Sequence, residues 1–267
     1  MQQNLKQILL FTFILIGSLI LTGCQKDNTD QYEKIMKRGQ IIVGIDDTFV
    51  PMGFRDAENN LVGFDIDLAQ KVFDEMELEV KFQRIDWSMK ETELNNKTID
   101  VIWNGYTITD QRKVKVTFSD PYLENKQVIV VLKPSSIKSK VDLNNKIVGV
   151  QSASSSLDAL KNDNETVNSL KEIIELDTNN LLFTELINKR IDALVIDEVF
   201  ANYYIKLLKL DCIVLEENFG TEQYGIGFRK SDEQLVEKFN EIFNQLKENG
   251  QTAEISQKWF NKDIIIK

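Results

Sequence analysis

Ile99–Tyr122 reads IDVIWNGYTITDQRKVKVTFSDPY. The apolar run Val101–Trp103 has the residue types of a short buried strand. It stops in a polar turn, Asn104-Gly105-Tyr106-Thr107. Thr109 or Asp110 then stands where a short helix takes its N-terminal cap, with Arg112 one turn in. Thr107 offers a hydroxyl and a backbone N–H near that helix start, a place that favours anions. Arginine carries a rigid fork that matches a carboxylate bidentately. Strand, turn, cap and arginine together form a candidate carboxylate clamp. Taken alone, Arg112 also reads as a solvated helix arginine.

Three further blocks have the same form. In Ile41–Leu68 (IIVGIDDTFVPMGFRDAENNLVGFDIDL) a strand ends at Ile45, and Asp46-Asp47-Thr48 follow. Ligands of open α/β sheets bind outside the carboxyl ends of strands, so Asp46 and Phe49 stand where a ligand is met. In Lys146–Leu160 (KIVGVQSASSSLDAL) the strand Ile147–Val150 runs into Ser152–Ser156 and a helix. Ser155 with Asp158 fits a capping box, and N–H groups at that helix start suit the same carboxylate. In Arg190–Phe200 (RIDALVIDEVF) the strand Ala193–Ile196 is followed by Asp197, an acceptor for an ammonium group. Each block alone also reads as an ordinary strand-to-loop turn or helix cap. Jointly they supply a cationic fork, helix-start donors, an acid and aromatic walls, the complement of a zwitterion.

Around these blocks, β-rich runs alternate with helical patterns. The expected strands are Ile41–Ile45, Val80–Phe82, Val101–Trp103, Val128–Leu132, Ile147–Val150, Ala193–Ile196 and Ile213–Leu215. Leu68, Ala69, Val72, Phe73 and Met76 recur at helical spacing, as do Leu181, Leu182, Leu186 and Ile187. Leu235, Phe239, Ile242 and Leu246 mark another helix, with Gly250 at its stop. This alternation predicts an α/β architecture with largely parallel sheets.

Composition removes whole classes of chemistry. The chain of 267 residues has no histidine, which excludes Ser-His and Cys-His triads and His-ligated zinc. Its two cysteines, Cys24 and Cys212, make no disulfide framework or thiolate metal site, so no metal or cofactor is expected. Cys212 reads as a small buried apolar residue. Acidic residues number 42 against 32 Lys+Arg, so nucleic-acid binding is not expected.

The N-terminus carries Lys6, then the apolar run Ile8–Leu21, then Thr22-Gly23-Cys24. The run falls short of the ~20 residues that span a bilayer and reads as a secretory signal over residues 1–23. Leu21-Thr22-Gly23-Cys24 looks like a bacterial lipobox. That resemblance implies cleavage before Cys24 and lipid on its thiol and new amino group. Residues 24–36 would then tether the protein to an outer membrane face, an arrangement suited to a Gram-positive surface.

The residues also carry a family resemblance. Gly44-Ile45-Asp46, Pro51 and Val62-Gly63-Phe64-Asp65-Ile66-Asp67-Leu68-Ala69 look like the start of family 3 extracellular solute-binding proteins, the polar amino acid receptors of ABC importers. Asp100, Thr107-Ile108-Thr109-Asp110-Gln111-Arg112 and Phe118-Ser119-Asp120-Pro121-Tyr122 resemble that family's central signature. Val148–Gln151, Ser154-Ser155, Asp192-Ala193, Asp197-Glu198, Tyr224–Lys230 and Lys258-Trp259-Phe260 follow in order.

The resemblance implies a two-lobed, type II periplasmic-binding-protein fold. Residues 37–123 and 224–267 would form one lobe and 127–220 the other, with hinge crossovers near 124–126 and 221–223. A free amino acid would sit in the cleft and close it, for delivery to a cognate ABC permease. By motif position, Arg112 takes the ligand carboxylate, helped by Thr107 and the helix-start donors of Ser154 and Ser155. The Gly105 carbonyl and Asp197 take the ammonium. Phe49 and Trp87 fall at aromatic walls, and Asp46 and Asn104 face the ligand side chain. Ala153 stands where the family often has Gly, Ser155 where it has Thr, Phe49 where it has Tyr and Met52 where it has Phe. Asp46 with Asp47 favours a basic side chain, although Asp at the first place occurs in receptors of differing specificity.

The competing class is an enzyme on the same fold, since some cyclohexadienyl dehydratases resemble these receptors and fold alone does not set function. A dehydratase needs a general acid aimed at its ligand, a part open to Asp46 or Asp197. The expectation from sequence is binding and closure without bond chemistry.

Overall fold

The computed structural model describes residues 29–267, in which the predicted strand runs pair into two five-stranded sheets. The signal segment and Cys24 lie outside the described residues. In the first sheet the order is Glu79–Arg84, Gln40–Ile45, Val101–Ile102, Gly227–Phe228, Thr117–Phe118. The first three run parallel, and Gly227–Phe228 is antiparallel to both its neighbours. In the second sheet the order is Glu172–Leu176, Ile147–Gln151, Ala193–Asp197, Leu123–Leu132, Cys212–Tyr224. Again the first three are parallel, and Leu123–Leu132 is antiparallel to both sides. The centre strands Val101–Ile102 and Ala193–Asp197 are buried throughout, as both faces of a helix-covered parallel sheet must be. A small three-stranded sheet, Thr48–Phe49, Gly53–Arg55 and Leu61–Val62, leans on the first lobe.

The chain passes between the lobes twice. It enters the second sheet along Leu123–Leu132 and returns along Cys212–Tyr224, and the two strands pair from Leu123↔Tyr224 to Lys126↔Thr221. The last strand is far longer than the apolar run Ile213–Leu215 foretells. Its second half is polar and partly exposed, with register breaks between Val214, Asn218 and Thr221, so only backbone pairing reveals it. After the return, the helices Glu233–Glu248 and Gln251–Phe260 pack back on the first lobe. Phe239 meets Phe73 and the fully buried Trp103, whose ring centre lies 5.3 Å away. Gly250 takes φ +83° between these two helices, a left-handed turn that costs glycine no Cβ clash.

Two local expectations need correction. The tether was expected to run to residue 36, but Tyr32–Arg38 is a helix with Ile35 buried. The backbone N–H of Gln31 donates to Asp232 at 3.2 Å, so the folded body starts there. A seven-residue helix with one buried side chain shows no apolar period for sequence reading to find. The cap of Ser155–Asn162 is Ser154, not Ser155: its Oγ accepts from the N–H of Leu157, and Ser155 is the first helical residue. Thr109 caps Asp110–Lys115 by accepting from the N–H of Arg112. Cys212 is a buried free thiol.

Candidate functional site

The carboxyl ends of four strands meet across the lobes around one narrow cavity. Asp46 follows Ile45, Asn104 and Gly105 follow Val101–Ile102, and Gln151 and Asp197 end their strands. From the first lobe Asp46, Phe49, Trp87, Asn104, Gly105 and Arg112 line it; from the second come Gln151, Ser154, Ser155 and Asp197. Of the residues singled out in sequence, only Thr107 does not reach the wall. It works from behind.

One pole is cationic. Arg112 is 5% exposed, and its Nη1 donates to the Thr107 carbonyl at 3.0 Å. The guanidinium lies 4.8 Å from the centre of the Tyr106 ring, and Nη2 reaches 3.5 Å from the Ala153 carbonyl on the other lobe. Tyr106 is itself held by its hydroxyl donating to Glu91 at 3.0 Å. Among the described residues no carboxylate pairs with Arg112. A buried cation without a counter-ion is costly unless something anionic arrives. Ala153 has φ +53°, a left-handed conformation that explains why glycine suits this place. It turns the chain so that the N–H groups opening Ser155–Asn162 face the same pole.

A second pole is anionic. Asp197 sits at the N-cap place of Glu198–Leu208 yet makes no cap bond. Instead its Oδ1 accepts from Asn125 (2.8 Å), Gln127 (3.0 Å) and the Tyr224 hydroxyl. Glu222 shares those donors: its Oε1 accepts from Asn125 (2.9 Å), Gln127 (2.8 Å) and the Thr107 hydroxyl (3.0 Å). Neither carboxylate pairs with a lysine or arginine among the described residues. Burial, reinforced by the charge of Glu222, pushes the Asp197 carboxyl up to about 8.

Gly105 and the Phe49 and Trp87 rings complete the lining. Gly105 takes φ +58°, and a Cβ there would fall 2.9 Å from the Phe49 ring. Its N–H donates to the buried Asp65 at 2.7 Å, and the Tyr122 hydroxyl donates to the same carboxylate at 2.8 Å. Asp65 thereby fixes the turn that presents the Gly105 carbonyl. Phe49 packs on Phe200, and Trp87 edges Tyr106.

At the side-chain end, Asp46 accepts from the Thr48 hydroxyl (2.6 Å) and, across the lobes, from Gln151 (3.0 Å). Burial raises its pKa. Asn104 is 2% exposed, and neither its amide N–H₂ nor its oxygen has a partner. Asp46 and Trp87 also border a second recess, lined by Arg84, Asp86, Asp177 and Thr178.

Sequence reading missed Gln151, Asn125, Gln127, Glu222 and the positioning role of Asp65. A faint signal existed: Asn125 and Gln127 are polar residues two apart in Leu123–Leu132, both buried, so they share one inward face of that strand. Nothing in the sequence joins them to residues 70 to 97 positions away.

Residues 41–262 match the model of bacterial extracellular solute-binding proteins, family 3. The L-cystine-binding protein TcyJ of Escherichia coli (strain K12) is 29% identical over 86% of this chain and 86% of its own. The arginine-binding extracellular protein ArtP of Bacillus subtilis (strain 168) is 30% identical over 96% and 98%. The structure is similar to that of an ABC uptake transporter substrate-binding protein from Streptococcus pneumoniae with bound histidine. That likeness has a TM-score of 0.87 and 42% identity, covering 89% of this chain and 99% of that one. The two poles therefore stand on a fold whose relatives hold amino acids, and this chain belongs to the bacterial extracellular solute-binding proteins of family 3.

Proposed function

We propose that the chain binds one free L-amino acid in the cavity between its lobes and presents it to an ABC permease, without bond chemistry. The observation that carries this reading is the pair of poles that have no partner of opposite charge among the described residues: the buried Arg112 guanidinium and the Asp197 carboxyl, both in the wall of one cavity, the latter backed by Glu222. An α-amino acid neutralises both at once. Arg112 and the Ser155 helix start take its carboxylate, and Asp197 and the Gly105 carbonyl take its ammonium. The paired strands at 124–126 and 221–223 form the hinge on which the lobes close.

The far end favours a flat side chain that donates hydrogen bonds. Asp46 and the unpartnered Asn104 amide supply acceptors between the Phe49 and Trp87 rings, and a carboxylate side chain would meet Asp46 as a like charge. Imidazole, guanidinium and amide side chains meet that description. The histidine-bound neighbour and the arginine-binding relative agree with it.

Thermal denaturation with each amino acid, cystine and ornithine tests the proposal. At least one nitrogen-bearing side chain is expected to raise Tm by roughly 5–10 °C at a hundredfold excess over Kd. The matching amine without the carboxylate, and the matching acid without the amine, are expected to give no rise. A flat response to the whole panel would remove the proposal, and formation of an aromatic product from prephenate or arogenate would replace it with the dehydratase reading.

Cys24, outside the described residues, is the proposed lipid attachment point. Among the described residues no helix is long and apolar enough to cross a membrane. Cys24→Ser in the full chain is expected to move the protein from the membrane fraction to the medium or periplasm. Retention on the membrane would count against the anchor.

A further inference from the structure

Lys90 is out of place by two criteria. It opens the helix Lys90–Asn95, where the exposed N–H groups repel a cation. It is also 2% exposed, although burying an ammonium is costly. Burial, reinforced by the like charge of Arg112, pulls its pKa down to about 8. Its Nζ donates to two carbonyls, Trp87 at 2.9 Å and Ala153 at 3.0 Å. The ammonium lies 5.0 Å from the centre of the Trp87 ring, and its one ion-pair partner among the described residues, Glu91, is distant at 3.9 Å.

Those two carbonyls belong to different lobes. Trp87 is an aromatic wall of the cavity on the first lobe. Ala153 lies in the turn of the second lobe that presents Ser154 and Ser155 to the cavity. Lys90 itself does not line the cavity. Thr107 to Ser155 (2.9 Å) and Asp46 to Gln151 (3.0 Å) also span the lobes, but Ser155, Asp46 and Gln151 are wall residues. A bond to Ala153 is available only when the lobes are shut, because separating them carries that carbonyl away from the helix that holds Lys90.

We propose that Lys90 is a latch of the closed state, which slows ligand release by tying the Trp87 wall to the Ala153 turn without touching the ligand. The inference rests on the amino acid-binding reading. A contact formed only after closure leaves the encounter unchanged and acts on dissociation. A hydrogen bond from a charged donor in a desolvated site is worth roughly a tenfold change or more.

Stopped-flow fluorescence of the full chain, with the amino acid that raises Tm most, measures both rates. Lys90→Met is expected to raise koff roughly tenfold and to leave kon within about twofold. Lys90→Arg, which keeps a donor that can reach the carbonyl, is expected to recover most of the slow release. A merely structural lysine would predict a lower ligand-free Tm, whereas the latch predicts a Tm in Lys90→Met that is unchanged or higher. An unchanged koff in Lys90→Met, or a loss carried wholly by kon, would overturn the latch while leaving the binding proposal standing. Failure of the wild-type chain to bind any amino acid would overturn both.

Discussion

Arg112→Ala is expected to weaken amino acid binding by roughly a thousandfold. Removing one partner from a buried ion pair costs about 3–5 kcal/mol, because the other charge is left desolvated and alone. Here the stranded charge would be the ligand carboxylate, facing only the helix start at Ser155. The same change should not harm the empty protein. Arg112 has no internal counter-ion among the described residues, so its removal relieves a buried charge, and the ligand-free Tm is expected to stay level or rise. Lysine does not rescue it, since Nη1 is engaged with Thr107 while Nη2 points to Ala153, and one ammonium cannot span both. Titration calorimetry with wild-type, Arg112→Ala and Arg112→Lys proteins gives the comparison. Near-normal affinity in Arg112→Ala would remove the carboxylate assignment.

Asp197→Asn has the second large effect, and its sign differs between the empty and the loaded protein. In the folded chain the Asp197 carboxyl holds its proton to about 8, while in the unfolded chain it releases it near ~3.9. Between those limits the native state binds more protons than the unfolded state, so stability of the empty protein falls as pH rises through that window. Asparagine leaves the titration, keeps the shape and ends repulsion with Glu222. The ligand-free variant is therefore expected to melt higher than wild type at pH 8, by roughly 5 °C, with the difference shrinking towards pH 5. Binding moves the other way. The variant offers the ligand ammonium a neutral oxygen, and affinity is expected to drop by roughly a hundredfold, more for amino acids than for des-amino analogues.

The ammonium and the proton compete for the same carboxylate in the wild type. Its affinity should therefore strengthen up to about tenfold per unit as pH rises from 6 towards 8, and the variant should lose that slope. Equal losses for amino acids and des-amino analogues would end the ammonium role of Asp197. A wild-type affinity flat across pH 6–8 would end the competition.

Both effects depend on charges left unpaired at the cavity, and this condition separates what could be read early from what could not. The polar residues that end apolar strands were legible one by one. Asp46, Asn104, Gly105, Asp197 and the serines after Val150 each follow a run of buried β-formers, and a strand's carboxyl end is where an open sheet meets ligands. Gln151 was passed over because a lone glutamine at a strand end carries no charge or special geometry to mark it. Lys90 was passed over because a lysine in the sequence MKETELNN reads as a solvated helix residue, and burial is not written in local sequence.

The alternation of strands and helices, the absence of histidine chemistry and the candidate carboxylate clamp around Arg112 are properties of the sequence, because they depend on residue type and on neighbours within a few positions. Which charges remain uncompensated is a property of the tertiary structure. The meeting of Asn125, Gln127, Asp197 and Glu222 joins three strands of the second sheet, and the bond of Lys90 to Ala153 joins two lobes. Electrostatic cost depends on every group within several ångströms, and only the folded topology decides which residues those are.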